Sequence, residues 1–308
     1  MPSFIWQRID SAPLGAEQLL GFNVLRLDLM HGLAPGNKIF KLEPCIADAK
    51  AKGFRRLLSF GGAWSNHLHA LAALGQRHGL ATVGVVRGEP DGPLSATLAE
   101  AQAAGMQLHY LSRTAYRQRH EKVFQRQLLA RYGPAYLIPE GGDCLLGASG
   151  CMAIGEELAR QMPSGASIIL PVGTGTTLAG IVASLGPAYR VIGISALKGA
   201  LDTASRVQRH LDQIGHSRDR AAWEICHDYH CGGFARAPVE LREFLLSMEQ
   251  SSAIPLEPVY SAKALLAAQK LLAAGQLDRS KPLVFIHTGG LQGRRGFDWL
   301  SDQGSVLQ

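Results

Sequence analysis

Three short segments carry residue types that could act on a small ligand. In SIILPVGTGTTLAGIVASL an apolar run, Ser167 to Val172, enters Gly173-Thr174-Gly175-Thr176-Thr177 and then a helical pattern. Glycines let the backbone curl so that N–H groups converge, the threonines add hydroxyl donors, and the helix N-terminus adds partial positive charge. Such a loop suits a phosphate, although a glycine–threonine turn is as often structural as functional. No Gly-Lys-Ser/Thr follows, so it is not a Walker loop, and the spacing from Gly175 to Gly180 departs from GxGxxG, which disfavours a dinucleotide. In LLSFGGAWSNHLHALAALG, Gly61-Gly62 and then Ser65-Asn66-His67 reach the start of a second helix. Ser65 reads as a helix cap, and the same converging N–H groups and short polar side chains could form a carboxylate pocket. The third segment holds Lys38, in LAPGNKIFKLEP, with Lys41 about one turn on. Most lysines are solvated, and spacing alone does not single Lys38 out. Combined with a phosphate cradle, however, a lysine points to a Schiff-base cofactor, whose imine needs an amine and whose phosphate needs an anchor.

Two further clusters are read more plainly. Cys226-His227-Asp228-Tyr229-His230-Cys231 holds thiols and imidazoles of the kind zinc takes. Adjacent Cys-His pairs on so short a segment cannot easily all point at one ion, so no metal is expected and the segment is read as a pocket-lining loop. His287, at a strand end, is at least as readily a buried structural histidine as a catalytic one.

Alternating strand and helix patterns must position these residues. Strand-like runs fall at Leu57–Phe60, Thr82–Val86, Gln107–Leu111, Ala135–Ile138, Ser167–Val172, Arg190–Ile194 and Leu283–His287. Helical patterns fall at Pro44–Lys52, Ser65–His78, Pro93–Ala104, Thr114–Tyr132, Leu146–Gln161, Thr176–Leu185 and Tyr260–Ala273. The alternation implies α/β architecture with parallel sheets covered on both faces. The glycine-rich stretch PEGGDCLLGASG lacks periodicity and marks a boundary between two α/β units.

Composition is consistent with this. The chain has 308 residues, of which 46% are apolar and 18% charged, which excludes extensive disorder and allows two domains of ordinary size. No run approaches the ~18 apolar residues of a membrane span, and MPSFIWQRID lacks a secretion-signal layout, so a cytoplasmic location is expected. Five cysteines are too few for a disulfide scaffold and favour a reducing compartment. The 31 basic and 25 acidic residues give a net charge of +6. Its densest stretch, Arg113 to Arg131, has apolar residues near helical spacing and reads as the wet side of an amphipathic helix, not a nucleic-acid site.

GNKIFKLE, SFGGAWSNH, GTGTT, PVYSAK and FIHTGG, in this order from about Val24 to Gly290, resemble the pyridoxal-phosphate enzymes related to 1-aminocyclopropane-1-carboxylate deaminase and D-cysteine desulfhydrase. The resemblance implies a two-domain fold of the tryptophan-synthase-β type (fold type II), with pyridoxal 5'-phosphate between the domains. Residues 1–40 and 148–308 would form the larger, cofactor-binding domain, and 41–147 a smaller inserted α/β domain. Lys38 matches the lysine that forms the imine. Asn66 matches the asparagine bonded to the cofactor's phenolic oxygen, and Ser65 the serine that touches substrate and relays protons. The Ser65–His67 amides would hold the substrate carboxylate. Gly173, Thr174, Gly175, Thr176 and Thr177 match the phosphate loop, Tyr260 the tyrosine closing over the reacting group, and Thr288 the residue facing the pyridine nitrogen.

Details within the motifs select a subgroup. SNH and HTGG resemble D-cysteine desulfhydrase, whereas the deaminases proper usually read SNQ and HLGG, with an acidic residue where this chain has Ser261. The family's second active-site tyrosine falls on Phe234, and Trp64 replaces the glutamine usual before SN. Phe234 removes a phenol, and Trp64 makes the substrate pocket narrower and more apolar. The resemblance thus implies a lyase or deaminase acting on a small amino acid. Elimination from a D-amino acid with a leaving group on its β-carbon is the expected reaction. Its products would be a 2-oxo acid, ammonia and the leaving group, for example sulfide. The alternatives are 1-aminocyclopropane-1-carboxylate deamination, another D-amino-acid deamination or racemisation, and a cofactor-binding protein without turnover. The expected partners are the amino-acid substrate and a second copy of the chain in a homodimer, with no nucleic acid, membrane or metal.

Overall fold

The computed structural model describes residues 3–13, 15–30, 34–89, 92–215 and 219–301. Along the chain, β1 (Trp6–Arg8) and β2 (Asn23–Arg26) precede α1 (Lys38–Ala51), β3 (Arg56–Gly62), α2 (Asn66–His78) and β4 (Ala81–Arg87). Then come α3 (Ala96–Ala103), β5 (Met106–Leu111), α4 (Arg113–Tyr116), α5 (Lys122–Tyr132), β6 (Tyr136–Leu137) and α6 (Leu145–Gly150). The remainder is α7 (Met152–Gln161), β7 (Ser167–Val172), α8 (Thr176–Ser184), β8 (Arg190–Ser195), α9 (Thr203–Ile214) and β9 (Ala222–Cys226), followed by α10 (Val239–Ser252), α11 (Ser261–Ala273), β10 (Leu283–His287) and α12 (Asp298–Ser301). The chain divides into two compact units. One comprises Met1–His31, Pro35–Asn37 and Ala148–Leu291, and the other Gly32–Ala34, Lys38–Gly147 and Gln292–Gln308.

The first unit holds a six-stranded sheet in the order β1-β2-β10-β7-β8-β9. Only β1 is antiparallel to its neighbour; every other pairing is parallel. Every residue of β7 and β10 is buried, as strands covered on both faces must be. These two strands end at Val172 and His287, so the 173–177 loop and the 288–290 turn both leave the carboxyl edge of one sheet. In open α/β sheets that edge is where ligands bind.

The second unit holds a four-stranded sheet in the order β5-β4-β3-β6, all parallel. Its helix α2 packs Leu68, Leu71, Ala72 and Leu74 against the same core as Leu42, Cys45 and Ile46 of α1. Ser65 caps α2 by accepting the Leu68 N–H at 3.2 Å, and Gly79 ends it in the left-handed conformation.

Element boundaries differ from the sequence reading where tertiary contacts outweigh local preference. The helix expected from Pro44 begins at Lys38, with Pro44 inside it. An interior proline costs about 3 kcal/mol, offset here by burial of Phe40, Leu42, Cys45, Ile46 and Ala49. The single helix expected over Thr114–Tyr132 is broken, with extended backbone at Glu121. The bend lets buried Tyr116 donate to Glu140 at 2.9 Å while Arg119 pairs with the same carboxylate at 2.6 Å. Among the described residues, no helix is long and apolar enough to cross a membrane.

Because burial offsets the proline, Ile46→Ala should destabilise the protein by about 2–5 kcal/mol, whereas Pro44→Ala, which restores a helical donor, should cost nothing. The urea-unfolding midpoints of the two variants check both.

Candidate active site

In the first unit, β7 delivers the chain into Gly173-Thr174-Gly175, and α8 starts immediately with Thr176 and Thr177, both buried. Gly175 takes φ +88°, a left-handed conformation costly to any other residue, and no side chain caps α8. The head of this helix thus has no side-chain capping oxygen from its N-cap residue, and amides so placed can hold an anion. Thr174 and Thr176 bring their hydroxyls within 2.8 Å of each other. Asn37 donates from Nδ2 to Thr177 Oγ1 at 2.9 Å, and its backbone N–H donates to the Thr288 carbonyl at 3.0 Å. Thus Asn37, the glycine loop and the Thr288 turn are brought together, and the residue after Asn37 in the chain is Lys38.

The Thr288 turn is built on a buried polar group. His287 donates from Nε2 to the Pro255 carbonyl at 2.7 Å, and Nδ1 accepts the Gly289 N–H at 3.2 Å. Asp28, held by Arg26 at 2.6 Å, lies beside the same imidazole. Burial lowers the His287 pKa and outweighs the opposing pull of Asp28, so the ring is neutral and serves as a structural fastening.

Tyr260 immediately precedes α11, and its ring stands against Gly173. Its backbone is fixed by Glu257, whose carboxylate accepts the N–H groups of Val259, Tyr260 and Ser261 at 2.6–2.8 Å. Ser261 in turn accepts the Glu257 N–H at 2.7 Å. This reciprocal cap was missed in the sequence, because its acid precedes its serine by four positions, the reverse of the usual capping box. Phe234 packs edge-on to Tyr260, with ring centroids 6.4 Å apart. The Phe234 loop is tied to α11 by buried Lys263, which donates to the Gly233 carbonyl at 2.7 Å.

Across these contacts the chemistry is that of an anion cradle beside aromatic rings, with a lysine one residue beyond it in the chain. Residues 11–289 match the family of pyridoxal-phosphate dependent enzymes. The chain belongs to this family. A Thermotoga maritima protein named "Putative 1-aminocyclopropane-1-carboxylate deaminase" is 30% identical over 287 residues, covering 89% of this chain and 90% of its own. D-cysteine desulfhydrase of Serratia proteamaculans is 26% identical, covering 83% and 82%. A crystal structure of an ACC deaminase homologue aligns with a TM-score of 0.83 at 25% identity, over 97% of this chain and 93% of that one.

The donor set fits the cofactor of the family: amides and threonine hydroxyls for a phosphate, and an amine to carry an imine. The remaining residues that the sequence singles out lie in the second unit. Lys38 opens α1, and Trp64, Ser65, Asn66 and His67 lie in the turn from β3 into α2. The His67 side chain turns inward. Its Nε2 donates to Ser59 Oγ at 2.8 Å, because the Ser59 hydroxyl is itself committed to the Ile138 carbonyl at 2.8 Å. Any contact of His67 with a ligand would therefore run through its backbone. In the Cys226–Cys231 segment, His230 Nδ1 accepts the Gly232 N–H, and Cys231 donates to the Tyr229 carbonyl.

Burial first, and then the charges of Lys38 and Lys41, push the His67 pKa down to about 3 from 6.5. Between those values the unfolded chain holds a proton that the folded protein does not, so stability falls as pH drops below about 6.5. The loss should approach ~1.4 kcal/mol per pH unit from this group. Urea unfolding at pH 7, 6 and 5 checks it, and His67→Gln should flatten the slope.

Proposed function

We propose that this pyridoxal-phosphate enzyme catalyses β-elimination from a small D-amino acid such as D-cysteine, releasing a 2-oxo acid, ammonia and the leaving group. The observation that carries the reading is that positions 234 and 261, beside the Tyr260 phenol, supply no second acid. The residue after it is Ser261, whose hydroxyl is spent on Glu257, and the ring beside it is Phe234. The Glu257 carboxylate is itself committed to three backbone amides. A thiol ionises near pH ~8.5, so sulfur leaves as a stable anion without prior protonation. Opening a cyclopropane ring instead places charge on carbon and needs a proton donor there.

When bound, the cofactor supplies an electron sink for the charge that develops on the substrate's α-carbon. In this reading the amides and hydroxyls of Gly173, Thr174, Gly175, Thr176 and Thr177 hold the phosphate, Asn66 donates to the phenolic oxygen, and Thr288 presents a neutral hydroxyl to the ring nitrogen. Lys38 would carry the cofactor, and its free amine would be the base that takes the α-proton. The backbone amides at the head of α2 hold the substrate carboxylate. Ser65 Oγ accepts the Leu68 N–H, which leaves its own proton to be donated to the substrate in this reading. Tyr260, fixed by Glu257, would orient the reacting group, with the apolar ring of Phe234 beside it.

Wild-type protein mixed with pyridoxal 5'-phosphate should show the visible absorbance of a lysine-linked cofactor and should release sulfide and pyruvate from D-cysteine. Lys38→Ala should lose the absorbance and lower turnover by about 10²–10⁴-fold. No sulfide from either enantiomer of cysteine, with 2-oxobutyrate formed from 1-aminocyclopropane-1-carboxylate, would replace this reading by deamination. Absorbance without turnover across a panel of D- and L-amino acids would leave a binding protein. Phe234→Tyr, which restores a phenol beside Tyr260, should raise the ratio of cyclopropane opening to elimination, read from the two 2-oxo acids.

A further inference from the structure

The side-chain amide of Asn66 is held by a residue far along the chain. Gln292 donates from Nε2 to Asn66 Oδ1 at 2.5 Å. A carboxamide has one accepting and one donating end. With the oxygen engaged by Gln292, the NH₂ end of Asn66 is left as the face available to a ligand. That is the face an anionic phenolic oxygen needs, since such an oxygen only accepts. An amide turned the other way would set lone pairs against lone pairs.

The segment that carries Gln292 is anchored on the same elements. Arg295 forms a two-pronged pair with Glu100 of α3, at 2.5 and 2.8 Å, and His69 of α2 reaches the same carboxylate at 2.9 Å. Two-pronged arginine–carboxylate pairs fix orientation as well as distance. Gly296 lies so close to the Trp64 indole that an added methyl would sit 2.9 Å from it. Gln292 is therefore held between the β3–α2 turn and α3 and is not a loose surface amide. The Glu100 pKa is lowered to about 2, chiefly by its hydrogen bonds with Arg295, so the anchor persists through mild acid.

We propose that Gln292 is a positioning residue that fixes the orientation of the Asn66 amide so that Asn66 presents N–H to the anionic oxygen of the cofactor. This rests on the role given to Asn66 above. The motif FIHTGG, which ends two residues earlier, does not include Gln292.

The test is a cofactor-binding cycle, with the dissociation constant for pyridoxal 5'-phosphate and the pH dependence of the visible absorbance as readouts. Gln292→Glu keeps size and hydrogen bonding but can only accept, so it should pull the Asn66 NH₂ toward itself and turn Oδ1 to the cofactor. Gln292→Ala removes the constraint without reversing it. The expected order of affinity is wild type, then Gln292→Ala at a few-fold weaker, then Gln292→Glu at tenfold or more. The absorbance transition should shift in the Glu variant. In an Asn66→Ala background the two Gln292 variants should differ by threefold or less, which removes the effect of the added charge itself. A Gln292→Glu variant that binds as well as Gln292→Ala, or an equal loss with and without Asn66, would overturn the proposal and leave Gln292 as a tether for the segment. Should the Glu variant fail to fold, the Gln292→Ala and Asn66→Ala cycle decides, since strictly additive losses overturn the proposal. Wild-type protein that takes up no cofactor, or Asn66→Ala that binds it as wild type does, would instead overturn the role of Asn66 and the inference with it.

Discussion

The site depends on how the chain is held one residue before Lys38. Asn37 uses its backbone N–H on the Thr288 carbonyl and its side chain on Thr177, so a single residue joins the glycine loop to the turn after β10. Each bond contributes only about 1 kcal/mol net, but Asn37 is buried, and breaking either one strands a polar group without water. The fit is close on both sides. A methyl group on Gly36 would come within 2.5 Å of the Thr288 carbonyl oxygen. The backbone entering Lys38 is thus fixed by the ends of two buried strands, and such preorganisation removes an entropic cost that a lysine on a free loop would bring to catalysis.

A second constraint is where charge is not allowed. Burial keeps both His67 and His287 neutral, each donating from Nε2 to an oxygen of the protein. The His287 ring fixes backbone through both nitrogens, and His67 Nε2 fixes the Ser59 hydroxyl, which in turn holds the Ile138 carbonyl. Glu257 follows the same logic. Its burial raises the carboxyl pKa, three backbone amides oppose that, and the residue holds Tyr260 in place. In the reading proposed above, the general-base role falls on the amine of Lys38 and not on these groups.

The parts of this arrangement that were legible in the sequence are those with local signatures. The strand–glycine–threonine–helix passage at Ser167–Thr177 and the Ser65 cap follow from residues within a few positions of each other, and the structure has both as elements. The buried strands β7, β8 and β10 announce themselves by unbroken apolar runs. Short or half-exposed elements do not: β1, β2 and β9 are three to five residues long, and β9 has only partly buried or exposed positions. The helix α9 buries only Thr203, Val207, His210 and Leu211, too polar a stripe to read, whereas α10 was missed although it carries Leu241, Phe244, Leu245 and Met248 at helical spacing. Contacts across long sequence separations, such as Asn37 with Thr177 or Gln292 with Asn66, have no local signature at all.

The element that positions the Tyr260–Phe234 aromatic pair is α11. Glu257 fixes its first turn and with it Tyr260, and Lys263, one turn on, grips the carbonyl before Phe234. The two aromatic rings are therefore referenced to one helix. The Phe234 loop is held in a costly form, with Cys231 and Ala235 both at positive φ, a conformation that persists only where surroundings enforce it. Burying the Lys263 ammonium lowers its pKa, an expense that is hard to explain by stability, since an apolar side chain would pack at less cost. It is explained if the loop must present Phe234 at a set distance from Tyr260. Specificity in this chain would then be altered by changing the ring at position 234, with the helix and its two polar fastenings left unchanged.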